Sequence, residues 1–268
     1  MNEFAINHCT ITPVRQEPSE GSEQLTQLLF GEVCEVLDRL PRWTKIRSTV
    51  DGQEGWVDFK MLSDLDRDDV KQKTRKDLEI EGGVSVPIAI ATNMETGEEL
   101  MLTLGTRLPN YAHGTFEALG KQYLIDPTAV KGDRLEVKGE MICAVAQSLM
   151  NTPYLWGGKN AMGIDCSGFT QVVYAAMGLN LLRNAREQIT QGEVVHSLAE
   201  AQPGDLAFFD HSDRDPKATN ISHVGLLLDN KKIIHCSGCV HVDDIDEMGI
   251  HLPDGELTHH LVQIKRYL

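Results

Sequence analysis

The chain has 268 residues, of which 41% are hydrophobic and 24% charged, and its formal net charge is −15 at pH 7. This composition supports a buried core and excludes disordered, collagen-like and low-complexity proteins. A protein this acidic, without a basic patch, is not expected to bind nucleic acid or a membrane surface. No apolar run reaches the roughly 18 residues that span a bilayer. The first residues do not resemble a signal peptide, and the few cysteines do not suggest a disulfide framework, so we expect a cytoplasmic protein.

Short strands separated by turn residues are predicted over residues 1–62. Asp51-Gly52 is one of these turn signals, and the spacing is typical of a small β-barrel. Residues 63–80 are highly charged and predict a linker. Residues 81–137 return to alternating apolar and polar positions, which predicts a second small barrel.

Helical periodicity begins after residue 138. Apolar residues recur at helical spacing from Met141 to Met150, and Pro153 ends that helix. A second amphipathic helix has its apolar residues between Phe169 and Met177. Strands are predicted further on, at 205–209, 222–228, 232–235 and 261–266. Helices followed by antiparallel strands indicate that residues 138–268 form an α+β domain.

Cys166 stands at the first turn of the second predicted helix, directly after Asp165. The N-terminus of a helix carries about half a positive charge, which favours the thiolate and lowers the pKa of a cysteine. Backbone N–H groups at the same place can stabilise an oxyanion. The position also fits a small buried residue under a glycine-rich loop. Cys166 is therefore a candidate nucleophile that needs partners.

Two histidines lie on neighbouring predicted strands, His223 near the start of one and His235 at the end of the next. A cysteine peptidase needs a base beside the thiol and a third group that holds the tautomer of that imidazole. A two-residue hairpin loop would place these histidines on opposite faces of the sheet. Only an odd loop, such as Asp229-Asn230-Lys231, or a bulge places both on one face. Without that geometry, each would be an ordinary core histidine.

Several short motifs occur in a fixed order from residue 154 onward. They are Tyr154-x-Trp156-Gly157-Gly158, Asp165-Cys166-Ser167-Gly168-Phe169, Arg183 with Gln188, Pro203-Gly204-Asp205-Leu206-Ala207-Phe208-Phe209, Ile221-Ser222-His223-Val224-Gly225 and Ile234-His235. Through these motifs, residues 138–268 resemble the NlpC-type family of papain-like cysteine peptidases. The resemblance implies that Cys166 is the nucleophile, His223 the base and His235 the orienting residue, with no metal and no cofactor.

The N-terminal stretch is similar to a bacterial SH3-like domain. The similarity rests on Arg15-x-Glu17-Pro18, Thr26-Gln27-x-x-x-Gly31-Glu32, Trp43 and Asp51-Gly52-x-x-Gly55-Trp56. Two such barrels before an NlpC-type domain resemble the γ-D-glutamyl-L-diamino acid endopeptidases that recycle murein peptides. We therefore expect a papain-like peptidase domain preceded by two small SH3-like β-barrels, acting as a monomer on murein-derived peptides.

This second resemblance also implies a substrate. The first barrel would wall the active site and restrict it to short peptides with a free N-terminal L-alanine. The bond cleaved would join the γ-carboxyl of D-glutamate to lysine or diaminopimelate. The candidate substrate-binding residues are Tyr154, Asp165, Ser167, Arg183, Asn184 and Glu23.

Two positions depart from the family pattern. Gln53 stands where the family often has Tyr, and Asn184-Ala185 stands where it often has Asp-Ser. A neutral Asn184 would bind a substrate ammonium group more weakly than a carboxylate, because a charge-assisted bond is lost. Glu23 and Gln53 would face the amino end of the substrate.

Other functions remain open from the sequence alone. The chain could be a cell-wall-binding module, or an exported hydrolase that acts on intact peptidoglycan. An acyltransferase on the same fold would need an apolar trough, for which the sequence gives no support.

Two histidine-containing signals are discounted. Cys236-x-x-Cys239, flanked by His235 and His241, could suggest zinc. Because His235 already belongs to the predicted triad, we favour ordinary strand and turn residues there. His259-His260 is expected to be exposed and inert.

Overall fold

The computed structural model describes residues 3–65, 82–132, 137–210, 220–252 and 254–268. Residues 66–80 of the predicted linker therefore lie outside the described residues. The described residues form three structural regions, two of them made mainly of strands and the last of helices and strands.

The first region is a seven-stranded antiparallel sheet with the spatial order β3-β2-β6-β5-β4-β1-β7. Its strands are β1 (Glu3–Asn7), β2 (Ile11–Arg15), β3 (Gln24–Leu29), β4 (Val33–Arg39), β5 (Trp43–Ser48), β6 (Glu54–Asp58) and, after a 3-10 turn at Phe59–Met61, β7 (Leu62–Leu65). Val14, Ile46 and Val57 are fully buried in its core. Strand β7 pairs with β1, so the sheet extends to Leu65, past the boundary predicted at residue 62.

The second region contains a four-stranded sheet in the order β10-β9-β12-β11 and a two-stranded sheet, β13-β8. Its strands are β8 (Gly82–Val84), β9 (Ile88–Asn93), β10 (Glu99–Thr103), β11 (Thr115–Ala118), β12 (Lys121–Ile125) and, after a 3-10 turn at Pro127–Ala129, β13 (Val130–Gly132). Phe116 and Tyr123 stack in its core at 5.1 Å between ring centroids. Phe30 of the first region packs edge-on against Tyr123, so the two regions share a hydrophobic contact.

The third region begins with the two predicted helices, confirmed as α1 (Gly139–Gln147) and α2 (Cys166–Ala175). A short strand pair, β14 (Lys159–Asn160) and β15 (Gly163–Ile164), lies between them, and a single-turn helix α3 (Ala185–Gln188) follows them. The described helices include none long and apolar enough to cross a membrane.

A curved sheet completes the third region. Its strands are β16 (Glu193–Val195), β17 (Leu206–Asp210), β18 (Ile221–Leu227), β19 (Lys232–Ser237), β20 (Cys239–Asp246), β21 (Gly249–His251) and β22 (Leu257–Arg266), in the order β16-β22-β17-β18-β19-β20-β21. Because β21 also pairs with β22, the strands from β17 to β22 close into a barrel. The helices pack outside it, against Val224 and Leu226, whereas Phe209 and Ile233 fill its interior. The α+β prediction for this part of the chain is confirmed.

The hairpin between β18 and β19 decides the relation between the two predicted histidines. Gly225 pairs with His235, and the strands are joined by the three-residue loop 229–231, closed by Leu228 and Lys232. This odd loop is the condition that the triad required, and it places His223 and His235 on the same face of the sheet.

Candidate active site

Cys166 is the first residue of α2, as predicted. Asp165 caps the helix by accepting a hydrogen bond from the backbone N–H of Gly168, at 2.6 Å. A side chain at residue 168 could not be accommodated, since its Cβ would lie 2.2 Å from the backbone oxygen of Gly158. The start of the helix is therefore held tightly against the loop that contains Gly157 and Gly158.

The pKa of the Cys166 thiol differs from the sequence expectation. Burial, followed by the neighbouring carboxylate of Asp165, raises it to about 11. A backbone hydrogen bond from Val224, the residue after His223, acts in the opposite direction. Desolvation outweighs the helix N-terminus because the thiol is 8% exposed. At pH 7 the thiol is neutral, so it needs a base to become a nucleophile.

A line of hydrogen bonds joins the two histidines to Asp243. His223 Nε2 lies 2.8 Å from His235 Nδ1, and His235 Nε2 lies 3.0 Å from Asp243 Oδ2. Gly225 stands beside this contact, where a Cβ would lie 2.8 Å from the Cβ of His235. The histidine rings can meet because residue 225 has no side chain.

This line fixes the proton positions on both rings. Burial lowers the pKa of His235, while the hydrogen bond from His235 lowers that of Asp243, so a neutral ring faces a carboxylate. The carboxylate accepts the Nε2 proton of His235, whose Nδ1 then accepts the Nε2 proton of His223. In this tautomer, His223 Nδ1 is the unprotonated ring nitrogen, which could accept a proton from a thiol. Asp243 therefore acts as a positioning residue at the end of the relay.

Asp243 was missed by the sequence analysis. It lies two residues after His241, which pairs directly with His235 across β19 and β20. The alternation His241-x-Asp243 was the available signal, since both side chains must share the face of His235 once those strands pair. The pairing register itself could not be read from the sequence.

A groove of about 780 Å³ opens beside Cys166 and His223. Its other lining residues include Leu25, Tyr154, Trp156, Asp165, Ser167, Asn184, Ser222, Gly238 and His259. Burial, followed by the neighbouring Cys166, raises the pKa of the Tyr154 phenol above its usual range. The phenol therefore remains protonated and can donate a hydrogen bond into the groove.

Arg183 does not line this groove, contrary to the prediction that it contacts substrate. Its side chain is 1% exposed, and its guanidinium donates to Asp165 at 2.6 and 3.0 Å, to Ser167 Oγ at 3.0 Å and to Thr26 Oγ1 at 2.7 Å. Asp165 Oδ2 also accepts from the N–H of Gly157, at 2.9 Å. Asp165, Ser167 and Arg183 therefore form a buried network that orients the start of α2.

A smaller chamber of about 390 Å³ adjoins the groove, and Leu25, Trp156 and Asn184 line both spaces. Glu23 and Gln53 line this chamber, as do further acidic residues that the sequence analysis did not predict to face substrate, namely Asp51, Glu54 and Glu187. Arg186 is the cation among its lining residues. The chamber is therefore suited to a small, positively charged group.

The polar side chains of the chamber are held in place from both sides. Glu23 accepts a hydrogen bond from the indole N–H of Trp156 at 2.7 Å. The amide of Asn184 donates to Gln53 Oε1 at 3.3 Å and to Glu187 Oε2 at 2.9 Å. Glu187 thus supplies, next to Asn184, the carboxylate that position 184 lacks.

The first region is docked on the peptidase domain through buried polar contacts. Lys159 Nζ lies 2.9 Å from Glu32 Oε1, and both side chains are buried. The amide oxygen of Gln27 accepts hydrogen bonds from the N–H of Lys159 and from the side chain of Asn160, both at 2.8 Å. One wall of the groove and chamber is therefore built by the first region.

The expectation for His259 is wrong. It is 9% exposed, and its ring lies 4.4 Å from that of His223 and 6.1 Å from that of Phe209, between ring centroids. Closure of the barrel through β22 brings it there, so it packs against the predicted base.

In the discounted Cys236-x-x-Cys239 motif, the side chain of Cys236 is buried. The thiol of Cys236 donates to the backbone oxygen of Ile164 at 3.2 Å, and burial raises its pKa to about 12. Among the described residues, a different group brings potential metal-ligating atoms within 4.8 Å of one another, namely His235, His241 and Asp243.

A buried cysteine at a helix N-terminus, next to a histidine relay at the mouth of a closed barrel, is the arrangement of a cysteine peptidase, and this chain is one. Residues 151–261 match the NlpC/P60 family and residues 12–63 match the bacterial SH3 domain. The chain thus contains an NlpC/P60 domain and a bacterial SH3 domain, which confirms the resemblance seen in the sequence.

Relatives and solved structures agree with this assignment. The gamma-D-glutamyl-L-lysine dipeptidyl-peptidase of Bacillus subtilis (strain 168) is 29% identical over 225 residues, which are 78% of this chain and 71% of that protein. Dipeptidyl-peptidase 6 of Lysinibacillus sphaericus is 26% identical over 86% of this chain and 88% of its own. A crystal structure of an NlpC/P60 family protein from Bacillus cereus ATCC 10987 has a TM-score of 0.81 at 20% identity, with 99% of each chain covered, so the two share a fold. The SH3 match covers the first region, and a second SH3-like barrel over 81–137 stays a prediction.

Proposed function

We propose that the protein hydrolyses the bond between the γ-carboxyl of D-glutamate and L-lysine or diaminopimelate in short murein peptides with a free N-terminal L-alanine. The acidic chamber beside the groove is the observation that carries this proposal. A dipeptide N-terminal to the scissile bond would lie in the groove, with its ammonium group in the chamber near Glu23 and Glu187. The names of the relatives, dipeptidyl-peptidases, support release of such a dipeptide.

The first region supports the preference for short peptides. Glu23, Leu25 and Gln53 close one side of the groove and chamber. A wall at this position leaves room for a terminal ammonium group but obstructs a longer chain beyond it. We infer that the enzyme acts on free peptides in murein recycling, as a monomer in the cytoplasm, and not on intact wall.

In the proposed reaction, His223 Nδ1 takes the proton of the Cys166 thiol as the thiolate attacks the carbonyl carbon of the γ-glutamyl group. Backbone N–H groups at the start of α2 and the phenol of Tyr154 are positioned to donate to the oxyanion. The amine of lysine or diaminopimelate leaves with the proton from His223. Water, deprotonated by the same histidine, then hydrolyses the thioester and restores the thiol.

The test uses five substrates: L-Ala-γ-D-Glu-L-Lys, L-Ala-γ-D-Glu-diaminopimelate, the N-acetylated form of each, and whole sacculi. Mass spectrometry should find L-Ala-D-Glu released from the free peptides, with slower release from the acetylated ones. Cleavage of neither free peptide would overturn the proposed function. Efficient lysis of sacculi would overturn the proposed restriction to short peptides.

Variants assign the residues. Cys166→Ala and His223→Ala should each remove turnover, and His235→Ala should have a smaller effect, because an orienting residue contributes less than the base that it holds. Cys143→Ala is the matched control, since Cys143 is another buried cysteine, on α1, outside the groove. Residual turnover above about 10% in Cys166→Ala would point to another nucleophile.

A further inference from the structure

The group formed by His235, His241 and Asp243 lies where β19 and β20 pair, at the mouth of the closed barrel. His235 and His241 are directly opposite each other in the register, and Asp243 is on the same face two residues further along. A single carboxylate oxygen, Asp243 Oδ2, lies 3.0 Å from Nε2 of each histidine. Two imidazole nitrogens and one carboxylate oxygen thus converge on one point.

The proton on His241 makes this arrangement unusual. Its Nδ1 lies 2.8 Å from the backbone oxygen of Cys239, and a carbonyl oxygen only accepts, so Nδ1 must be the protonated nitrogen. In the neutral ring, Nε2 then presents a lone pair to the negatively charged oxygen of Asp243. His241 Nε2 and Asp243 Oδ2 would then be two hydrogen-bond acceptors 3.0 Å apart, which repel each other. A positive charge between them removes the repulsion, and this charge is either a second proton on His241 or a metal cation.

The donor set and its surroundings fit a divalent metal ion. Two imidazoles and a carboxylate, with water as the fourth ligand, form a common tetrahedral zinc site, and a backbone oxygen on the far nitrogen is the usual support for a ligating histidine. Bonds of about 2.1 Å place tetrahedral ligands about 3.4 Å apart. The 3.0 Å and the maximum 4.8 Å separations here require only small side-chain shifts. The exposed fraction of the His241 side chain, 31%, leaves a path from solvent.

We propose that His235, His241 and Asp243 form a site for Zn²⁺ or a similar divalent cation, and that occupation of this site inhibits the peptidase. The proposed inhibition rests on the proposed function, through the roles of Cys166 and His223, whereas the proposed metal binding does not.

Inhibition follows from the proton positions. A metal on His235 Nε2 displaces the proton from that nitrogen, so the neutral ring has its proton on Nδ1 instead. His235 Nδ1 then donates to His223 Nε2, and the neutral His223 must have its own proton on Nδ1. That nitrogen can no longer accept the thiol proton. The metal therefore reverses the direction of the hydrogen bond between His235 and His223, which Asp243 sets when no metal is bound.

Binding is tested in full-length protein with Cys166→Ala, because the Cys166 thiol could bind zinc separately from the proposed site. Isothermal titration with Zn²⁺ alone should find one site, and Zn²⁺ should raise the melting temperature. In the same background, His241→Gln should weaken binding about tenfold or more, since one of three protein ligands is lost. His251→Gln is the matched control, because His251 lies 3.0 Å from Asp246 outside this group and should leave binding unchanged.

Inhibition is tested with the intact thiol. Zn²⁺ should stop cleavage of L-Ala-γ-D-Glu-L-Lys and EDTA should restore it, and His241→Gln should need about tenfold more Zn²⁺ relative to its own metal-free rate. Equal Zn²⁺ affinity with and without His241, or binding that disappears in Cys166→Ala, would overturn the site. Binding that leaves the rate unchanged would overturn the inhibition. A protein that binds Zn²⁺ here but cleaves no murein peptide would disprove the proposed function and leave the site intact.

Discussion

The two β-rich regions before the peptidase domain contact that domain in different ways. The first region inserts buried polar groups, among them Glu32 against Lys159 and Thr26 against Arg183, and it lines the groove and the chamber. The second region, over described residues 82–132, supplies no lining residue to either space. It contributes Leu104 to the apolar core of the peptidase domain. One region therefore shapes the active site, and the other supports it from outside.

The two interfaces differ in how strictly they fix the position of each region against the peptidase domain. A buried charge must keep its partner, because an unpaired one costs several kcal/mol, so the contacts of the first region allow one arrangement. Apolar packing tolerates small shifts and substitutions of similar volume. We expect substitutions at the first interface to change both stability and catalysis, and those at the second interface to have modest effects.

The largest difference should come from two arginines, namely Arg183 of the peptidase domain, which the first region contacts through Thr26, and Arg107 of the second region. Arg183→Met leaves Asp165 buried without its ion partner, so the free energy of unfolding should fall by about 3–5 kcal/mol and kcat should fall with it. Arg107→Met removes a half-buried side chain of the second region that contacts Asn180, and should cost about 1 kcal/mol or less. Urea unfolding measures the change in the free energy of unfolding of each variant, and peptide turnover measures the change in kcat. Equal losses would break the distinction between the interfaces.

A somewhat smaller effect is expected at the docking ion pair. Lys159→Met leaves Glu32 buried and unpaired, and should lower the free energy of unfolding by about 3 kcal/mol. The double variant Lys159→Met with Glu32→Leu should recover most of that loss, since apolar replacement of a buried pair is close to neutral. Arg47→Met breaks surface pairs with Glu54 and Glu35 within the sheet of the first region, and should lower the free energy of unfolding much less than Lys159→Met does. No recovery in the double variant would contradict this explanation.

Substitutions that change substrate preference should have a smaller effect, and of the two β-rich regions only the first should influence this preference. Glu23→Gln removes a carboxylate of the chamber, so the ratio of kcat/KM for free over N-acetylated peptide should fall about tenfold, equivalent to about 1.4 kcal/mol. Glu98→Gln alters an exposed carboxylate of the second region that bonds Thr96, and should leave the ratio unchanged. Deletion of residues 1–62 should remove the preference altogether if the remainder folds. An unaltered ratio in Glu23→Gln would exclude the chamber as the ammonium site.

The smallest effect is expected where the two β-rich regions touch each other. Thr10 Oγ1 donates to the backbone oxygen of Met101 at an exposed position, so Thr10→Val should alter the free energy of unfolding by about 0.5 kcal/mol or less. Thr26→Val removes a buried partner of Arg183 and should cost about 1–2 kcal/mol. Thermal unfolding compares the two variants. Because the substitution is the same, a larger loss in Thr26→Val would show that the contact with the peptidase domain stabilises the protein more than the contact between the two β-rich regions.

The sequence predicted the residues that lie within continuous motifs. Both main helices and the position of Cys166 at a helix start follow from local periodicity, and strand alternation gave the condition, an odd loop or a bulge, under which His223 and His235 share a face. What the sequence could not supply depends on contacts between distant segments. Asp243 joins the relay through the register of β19 with β20, and His259 reaches His223 through closure of the barrel.

The expectation that the pKa of Cys166 is lowered was wrong for a related reason. The charge at a helix N-terminus is a local property and can be read from the sequence. Burial of the thiol depends on β18 and on the tight loop against Gly168, which only the folded chain brings together. Arg183 was misjudged in the same way, because its partners Asp165 and Thr26 come from two different regions.

The three-residue loop between β18 and β19 also indicates where the length of this chain can vary. Side chains alternate between the faces of a strand, so adding or removing one residue within either strand, between the loop and a histidine, turns His235 away from His223 unless a bulge compensates. Adding residues to the loop itself leaves the pairing of the strands unchanged and only lengthens an exposed turn. Among related peptidases that keep this relay, we therefore expect insertions between the two histidines to lie in this loop.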